Sequence, residues 1–312
     1  MQRSQSRSPY VSIDRADWSD LAGSSSLPLT EEELRNIRGL GDLLDLQEVK
    51  EVYLPVSELL SIYVKQVQQL HGSTVEFFGE RAARTPFIIA VAGSVAAGKS
   101  TVSRLLKELM QRWEGIPNVE LVTTDGFLYP NSELESRGLM GRKGFPESYD
   151  RKRLLEFVAD IKSGKSDVQV PVYSHLTYDI VEDEFITVTS PDVLIVEGLN
   201  LLQPPAPGQE VALSDYFDFS IYIDADPENL EKWYLSRFSQ LWSTAFTNPR
   251  SYFHDLTKDL TEEQAMERAQ GFWRDINLVN LRENIEPTRS RATLVMHKGD
   301  EHRVEKVLLR KI

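Results

Sequence analysis

Gly93-Ser94-Val95-Ala96-Ala97-Gly98-Lys99-Ser100 has the spacing G-x-x-x-x-G-K-[ST], which binds a polyphosphate. Gly93 and Gly98 permit a tight turn whose backbone N–H groups converge on phosphate oxygens. Lys99 is placed to reach the terminal phosphates, and Ser100 to help hold Mg²⁺. The loop follows the wholly apolar run Phe87 to Ala92 and precedes an amphipathic stretch reaching about Trp113. That is the strand-loop-helix setting the motif requires, and it argues against a glycine turn without a ligand. Gly164-Lys165-Ser166 repeats part of the pattern, but Ala159 stands where the leading glycine belongs and no apolar strand precedes it. It reads as a surface turn.

Phosphoryl chemistry also needs carboxylates at the ends of neighbouring strands. Asp125 follows Leu121-Val122-Thr123-Thr124, and Glu197 follows Val193-Leu194-Ile195-Val196. Either can polarise a hydroxyl or hold Mg²⁺ through water. Taken alone, each is as simply a solvated acid; beside a phosphate loop, function is the better reading. Asp224 is equally placed, whereas Asp226-Pro227 has the form of a helix N-cap. Arg142 and Lys143, in the loop 141–146, either fold over phosphates or are solvated. Tyr173, His175 and Tyr178 cluster after Pro171, a composition suited to hydrogen-bonding a small polar ligand, although a lone histidine is often structural. Trp233, Tyr234, Phe238, Trp242 and Phe246 recur at helical spacing and are core by default. Tyr234 and Arg237 share a face that can line a pocket.

The elements that must position these groups are strands alternating with helices. Val119 to Thr123, Val193 to Val196 and Phe219 to Ile223 are short β-branched runs like Phe87 to Ala92, the mark of parallel strands buried on both faces. Ala292 to His297, a Gly299-Asp300 turn and Val304 to Leu309 predict an antiparallel hairpin on the sheet edge. Before residue 85 the pattern is helical. Thr30 and Glu33 form a capping box ahead of a helix over 31–37. Further helices are expected over 46–52 and 56–78, the latter with Leu59, Leu60, Tyr63, Val67 and Leu70 as a core-facing stripe. The expected organisation is a tail and link over 1–28, including a disordered first nine residues and a flexible Gly23 to Ser26. A single α/β domain follows, with a helical flank over 29–84 and a core over 85–312.

Composition narrows the function further. With 35 Lys and Arg against 48 Asp and Glu, the net charge is −13, which disfavours a nucleic-acid partner. The absence of cysteine excludes disulfides, thiolate metal sites and a thiol nucleophile. No apolar run approaches membrane-spanning length, and the polar N-terminus has no signal-like apolar region. A GTPase-like switch would need an N-K-x-D run to read guanine, and the chain has none.

Taken in order, PFIIAVAGSVAAGKST, LVTTDGFLYPN, GRKGFPESYD, PVYSHLTYDI, VLIVEGLN, KWYLSRF and INLVNLRENI resemble the bacterial type I pantothenate kinase family. The likeness extends back through VYLPVSELL to SPYVSIDRADW. Uridine and phosphoribulose kinases share the loop, but not the GRKGFPESYD and YSHLTYD segments together. The resemblance implies a P-loop kinase fold, with a mostly parallel sheet flanked by helices and a C-terminal hairpin. It implies transfer of a phosphoryl group from ATP, with Mg²⁺, to pantothenate, which opens coenzyme A biosynthesis. It also implies inhibition by coenzyme A, a homodimer and a cytoplasmic location.

Carried over by position, Lys99, Asp125 and Arg237 are catalytic, Asp125 activating the hydroxyl and Arg237 steadying the transferring group. Gly93 to Thr101 (Gly93, Ser94, Val95, Ala96, Ala97, Gly98, Lys99, Ser100, Thr101) would bind ATP, with His302 near the base and Ser100 and Glu197 on the metal side. Tyr173, His175, Tyr178, Tyr234 and Asn277 would line the pantothenate and coenzyme A pocket, with Phe238, Phe246 and Phe253 covering apolar parts. Lys143 and Arg104 would meet phosphates, Arg104 on the inhibitor side. Two departures stand out. Gly39-Leu40-Gly41 replaces a stretch where some members carry an adenine-contacting Asn, and Ala97 stands where many carry Val.

Overall fold

The computed structural model describes residues 8–21, 28–79, 85–206 and 208–311. Nine strands are assigned among them: β1 (Tyr10–Asp14), β2 (Phe87–Gly93), β3 (Val119–Thr123), β4 (Asp167–Ser174), β5 (Asp179–Thr189), β6 (Val193–Gly198), β7 (Phe219–Ala225), β8 (Leu294–Lys298) and β9 (Val304–Arg310). Seven form one sheet in the order β1-β9-β8-β7-β2-β6-β3. The run β8-β7-β2-β6-β3 is parallel throughout. Every residue of β2 and β6 is buried, as expected when helices cover both faces of a parallel sheet.

The predicted C-terminal hairpin is present, β8 pairing with β9 antiparallel, but it is not the sheet edge. β1 lies outside it, antiparallel to β9 with Tyr10 opposite Arg310. Residues 10–14, grouped with the tail in the sequence reading, are therefore part of the sheet, and the helix Arg15–Ser19 follows them. Its Trp18 is buried and donates from Nε1 to the Val52 carbonyl at 3.1 Å. Most of the expected disordered tail (1–7) and the link 23–26 lie outside the described residues.

In the helical flank, Thr30 and Glu33 form the expected capping box before Glu31–Ile37. A short helix Leu46–Glu48 and a π-helical turn Val49–Tyr53 run into the long helix Leu54–Phe78. The inner half of that helix packs on the sheet through Leu60 and Val64, and Tyr63 meets Phe219 edge-on at 4.9 Å. The stripe does not stay inside, because the helix outruns the sheet: Leu70 is 67% exposed and Phe77 84%. β4 and β5 form a separate two-stranded antiparallel arm.

The register sets the site. Ala92 of β2 lies opposite Gly198 of β6, and Thr123 of β3 opposite Glu197 of β6. The phosphate loop, Glu197 and the Thr124-Asp125 turn therefore leave the sheet at one level, at the carboxyl ends of adjacent parallel strands.

Candidate active site

The phosphate loop spans the end of β2 and the start of the helix Lys99–Met110. Gly93 has φ +144° and Gly98 +88°. A Cβ on Gly93 would lie 2.5 Å from the Ile223 carbonyl oxygen, so only glycine fits there. Lys99 is buried and donates from Nζ to the Ser94 carbonyl at 2.8 Å. The next residue, Ser100, donates from Oγ to Glu197 Oε1 at 2.8 Å. Burial pushes the Lys99 pKa down and the Glu197 pKa up, and the opposite charge of each partner resists the shift in the other. Asp125, partly exposed on the adjoining turn, adds its negative charge to the field at Lys99. Arg237 is exposed on the helix Pro227–Trp242, with its charge also felt at Lys99. Lys99, Ser100, Asp125, Glu197 and Arg237 thus belong to one electrostatic neighbourhood.

A second group of predicted residues clusters beside the β4–β5 arm. Lys143 is buried and donates from Nζ to Asn131 Oδ1 at 2.6 Å and to the Tyr178 carbonyl at 2.5 Å. The same ammonium lies 3.9 Å from the Tyr178 ring centroid. Burial lowers its pKa to about 8, against the pull of Asp179 and Asp125. Tyr173 meets His175 edge-on at 5.2 Å, and Tyr178 meets Phe253 at 5.2 Å. Phe253, Phe246 and Phe238 continue the aromatic series at 4.9 and 5.4 Å. Tyr234 stacks obliquely on Trp273 at 5.6 Å and hydrogen-bonds Asn277. Asp125 touches both groups electrostatically, since its charge helps to raise the Tyr173 and Tyr178 pKa values after burial has done most of it.

At the other end of the loop, His302 Nε2 lies 3.3 Å from the Ala96 carbonyl, and its ring stacks on Trp233 at 4.0 Å. Burial, followed by the nearby Lys298 charge, lowers its pKa to about 4. The neutral ring accepts from Lys298 Nζ at Nδ1, 3.2 Å away, and donates from Nε2 to Ala96. Arg104 is turned to the flank, donating from Nε to the Ile37 carbonyl at 2.8 Å and from Nη2 to Thr101 Oγ1 at 3.2 Å. Thr101 donates to Asp42 and accepts from the Gly39 N–H at 3.0 Å. The segment around Gly39 is thereby tied to the first turn after the phosphate loop.

Sequence reasoning missed four residues here: Asn131 and Tyr252 by the aromatic pocket, and Asp42 and Lys298 by the phosphate loop. Tyr252, beside Phe253, lies 5.3 Å from Tyr178. Lys298 is buried, and its Nζ would be 2.8 Å from a Cβ on Gly98. The available signal was a lysine closing an apolar strand, which ordinarily marks a solvated end.

A parallel sheet with a phosphate loop, strand-end carboxylates and a separate polar-aromatic cluster defines a P-loop kinase acting on a small molecule. Residues 88–239 match the phosphoribulokinase/uridine kinase family model. The chain is 59% identical over 305 residues to a pantothenate kinase of Clavibacter sepedonicus, covering 98% of this chain and 95% of that one. It is 57% identical over 310 residues to a pantothenate kinase of Streptomyces coelicolor, covering 97% and 94%. The chain belongs to the bacterial type I pantothenate kinase family. Among solved structures, a D-glycerate 3-kinase of Cryptococcus neoformans shares the fold, with TM-score 0.54 and 16% identity over 80% of this chain and 97% of that one. A putative fructose transport system kinase from Silicibacter gives TM-score 0.50 and 29% identity over 65% and 85%. No helix among the described residues is long and apolar enough to cross a membrane.

Proposed function

We propose that the enzyme transfers the γ-phosphoryl group of ATP to the primary hydroxyl of pantothenate, giving 4'-phosphopantothenate and ADP, the first step of coenzyme A biosynthesis. The observation that carries this reading is the position of Asp125, between the phosphate loop with Lys99 and the pocket of Tyr173, Tyr178 and Lys143. The pantothenate hydroxyl attacks the γ-phosphorus and its proton passes to the Asp125 carboxylate. As the bond to the β-γ bridging oxygen breaks, Lys99 and Arg237 balance the charge on the phosphoryl oxygens. Tyr178, His175 and Asn277 hydrogen-bond the polar groups of the substrate, Lys143 faces its negative charge, and Phe238, Phe246 and Phe253 cover its methyl groups.

The oxygens of Ser100 and Glu197, 2.8 Å apart beside the loop, are hard donors of the kind Mg²⁺ accepts along with phosphates and water. Ser100 would hold the ion directly and Glu197 through water. Held there, the ion would supply positive charge against the phosphates.

Coenzyme A, sharing the pantothenate moiety, inhibits from the same pocket with Arg104 on its phosphate side. The working form is a cytoplasmic homodimer, with neither nucleic acid nor membrane as partner.

The test supplies purified enzyme with ATP, Mg²⁺ and either pantothenate or uridine while ADP release is followed. Turnover with pantothenate, slowed by added coenzyme A, is expected. Turnover with uridine alone would overturn the assignment.

A further inference from the structure

Behind the catalytic turn lies a shallow cleft, largely open to solvent, between the helix Arg151–Lys162 and the segment 209–213. Tyr149 stands at the side of the cleft nearest the Tyr173 and Tyr178 cluster. This buried residue lines the cleft, while its phenol feels the charges of Asp125, Tyr178 and Tyr173.

The lining is chemically uneven. Leu154, Leu201 and Ala212 supply a buried aliphatic wall. Arg151 lies at the cleft with the Pro204 carbonyl as its hydrogen-bond acceptor, 3.2 Å away. No carboxylate among the described residues pairs with it, and partial burial is the influence that lowers its pKa. Asn200 donates from Nδ2 to the Gly144 carbonyl at 2.9 Å, leaving its buried Oδ1 without a hydrogen-bond partner. The Thr124 hydroxyl, on a buried residue, also lacks a well-formed partner, although the Tyr149 phenol is close enough to feel it. Unpaired buried polar atoms are costly, and a concave site holding them beside an unpaired cation is organised for a ligand.

We propose that this cleft is a second small-molecule site, separate from both the phosphate loop and the substrate pocket. Its ligand is an anion with a short aliphatic body and an N–H or O–H donor. The anion pairs with Arg151, the body lies on Leu154 and Leu201, and the donor satisfies Asn200 Oδ1. Thr124 precedes Asp125, and Asn200 shares the Gly144 carbonyl with Asn280 at 2.9 Å for each bond, so the cleft adjoins the loop that carries Lys143 without sharing its substrate contacts.

N-acetyl-L-leucine carries all three features and serves as the probe, titrated calorimetrically into the full chain. Expected is saturable binding at one site, unchanged by saturating pantothenate. Arg151→Gln weakens it by at least about tenfold, the ordinary cost of removing a charged hydrogen-bond partner. N-acetyl-leucinamide, which lacks the anion, binds correspondingly weakly to the unaltered enzyme. Val211→Trp, crowding the rim of the cleft, abolishes probe binding by a second route, and both variants keep the ADP-release rate of the unaltered enzyme. No binding at probe concentrations up to about 10 mM, equal affinity in Arg151→Gln, or displacement by pantothenate overturns the site. Because the readout is binding, the result stands apart from which hydroxyl the kinase phosphorylates.

Discussion

The Ser100 hydroxyl and the Glu197 carboxylate, on the first turn of the loop helix and the end of β6, are joined by a 2.8 Å hydrogen bond. Glu197 is thus held beside Lys99, where on the proposed reading its carboxylate would help hold Mg²⁺ through water. Removing the charge while keeping the shape, as in Glu197→Gln, is expected to lower kcat by about 10- to 100-fold. The Mg²⁺ concentration needed for half-maximal rate should rise with it. Titrating Mg²⁺ at saturating ATP checks this; an unchanged Mg²⁺ requirement removes Glu197 from the metal side.

The Asp125 charge is felt both at Lys99 and at the Tyr173 and Tyr178 cluster. Asp125→Ala is expected to reduce kcat by at least about 100-fold if the carboxylate accepts the hydroxyl proton. The affinity for ATP should hardly change, because the loop amides and Lys99 remain. Single-turnover assays with nucleotide binding measured separately distinguish the two, and near-normal turnover would sink the general-base role.

Lys143 gives the enzyme a pH signature. Its pKa, lowered by burial to about 8, makes it lose its charge well before an ordinary lysine at 10.5. An anionic substrate that faces this ammonium should bind more weakly as pH rises through about 8, so KM for pantothenate climbs there while Lys143→Met shows no such step. For folding the sign is reversed. Between about 8 and 10.5 the unfolded chain holds the proton that the folded chain has lost. Stability from this one group therefore rises with pH across that window. Denaturant titrations of the enzyme and Lys143→Met at pH 7.5 and 9.5 check the sign.

Thr101 ties the helical flank to the phosphate loop by bonding Asp42, the Gly39 N–H and Arg104. Thr101→Val preserves the shape and leaves those groups under-satisfied. A loss of about 1–3 kcal/mol in unfolding free energy is expected. Urea denaturation measures it, and an unchanged midpoint would mean that the three partners find one another or water without cost.

The phosphate loop and the four central strands were readable because each rests on a local pattern: fixed glycine and lysine spacing, or a short run apolar on both faces. What escaped was non-local. Tyr10–Asp14 is only partly buried, and it becomes a strand because β9 offers it a partner. Most of β5 is exposed, with Phe185 and Ile186 facing solvent, so no hydrophobic alternation announces it. Leu70 continues a helical stripe that its sequence cannot distinguish from the buried Leu60, since the point where the sheet ends is a tertiary fact. Lys298 and Asp42 escaped for the same reason: charged residues read as solvated until the fold closes over them.

The pairing of β1 with β9 also fixes an order of events during synthesis. Tyr10 and Arg310 are 300 positions apart, and ribosomes add about 5–20 residues per second. The first strand therefore leaves the ribosome roughly 15–60 s before its partner exists. Lys298 and His302, which close the far side of the phosphate loop, arrive in that same last segment. The hairpin that carries them is thus made after every other strand of the sheet it joins.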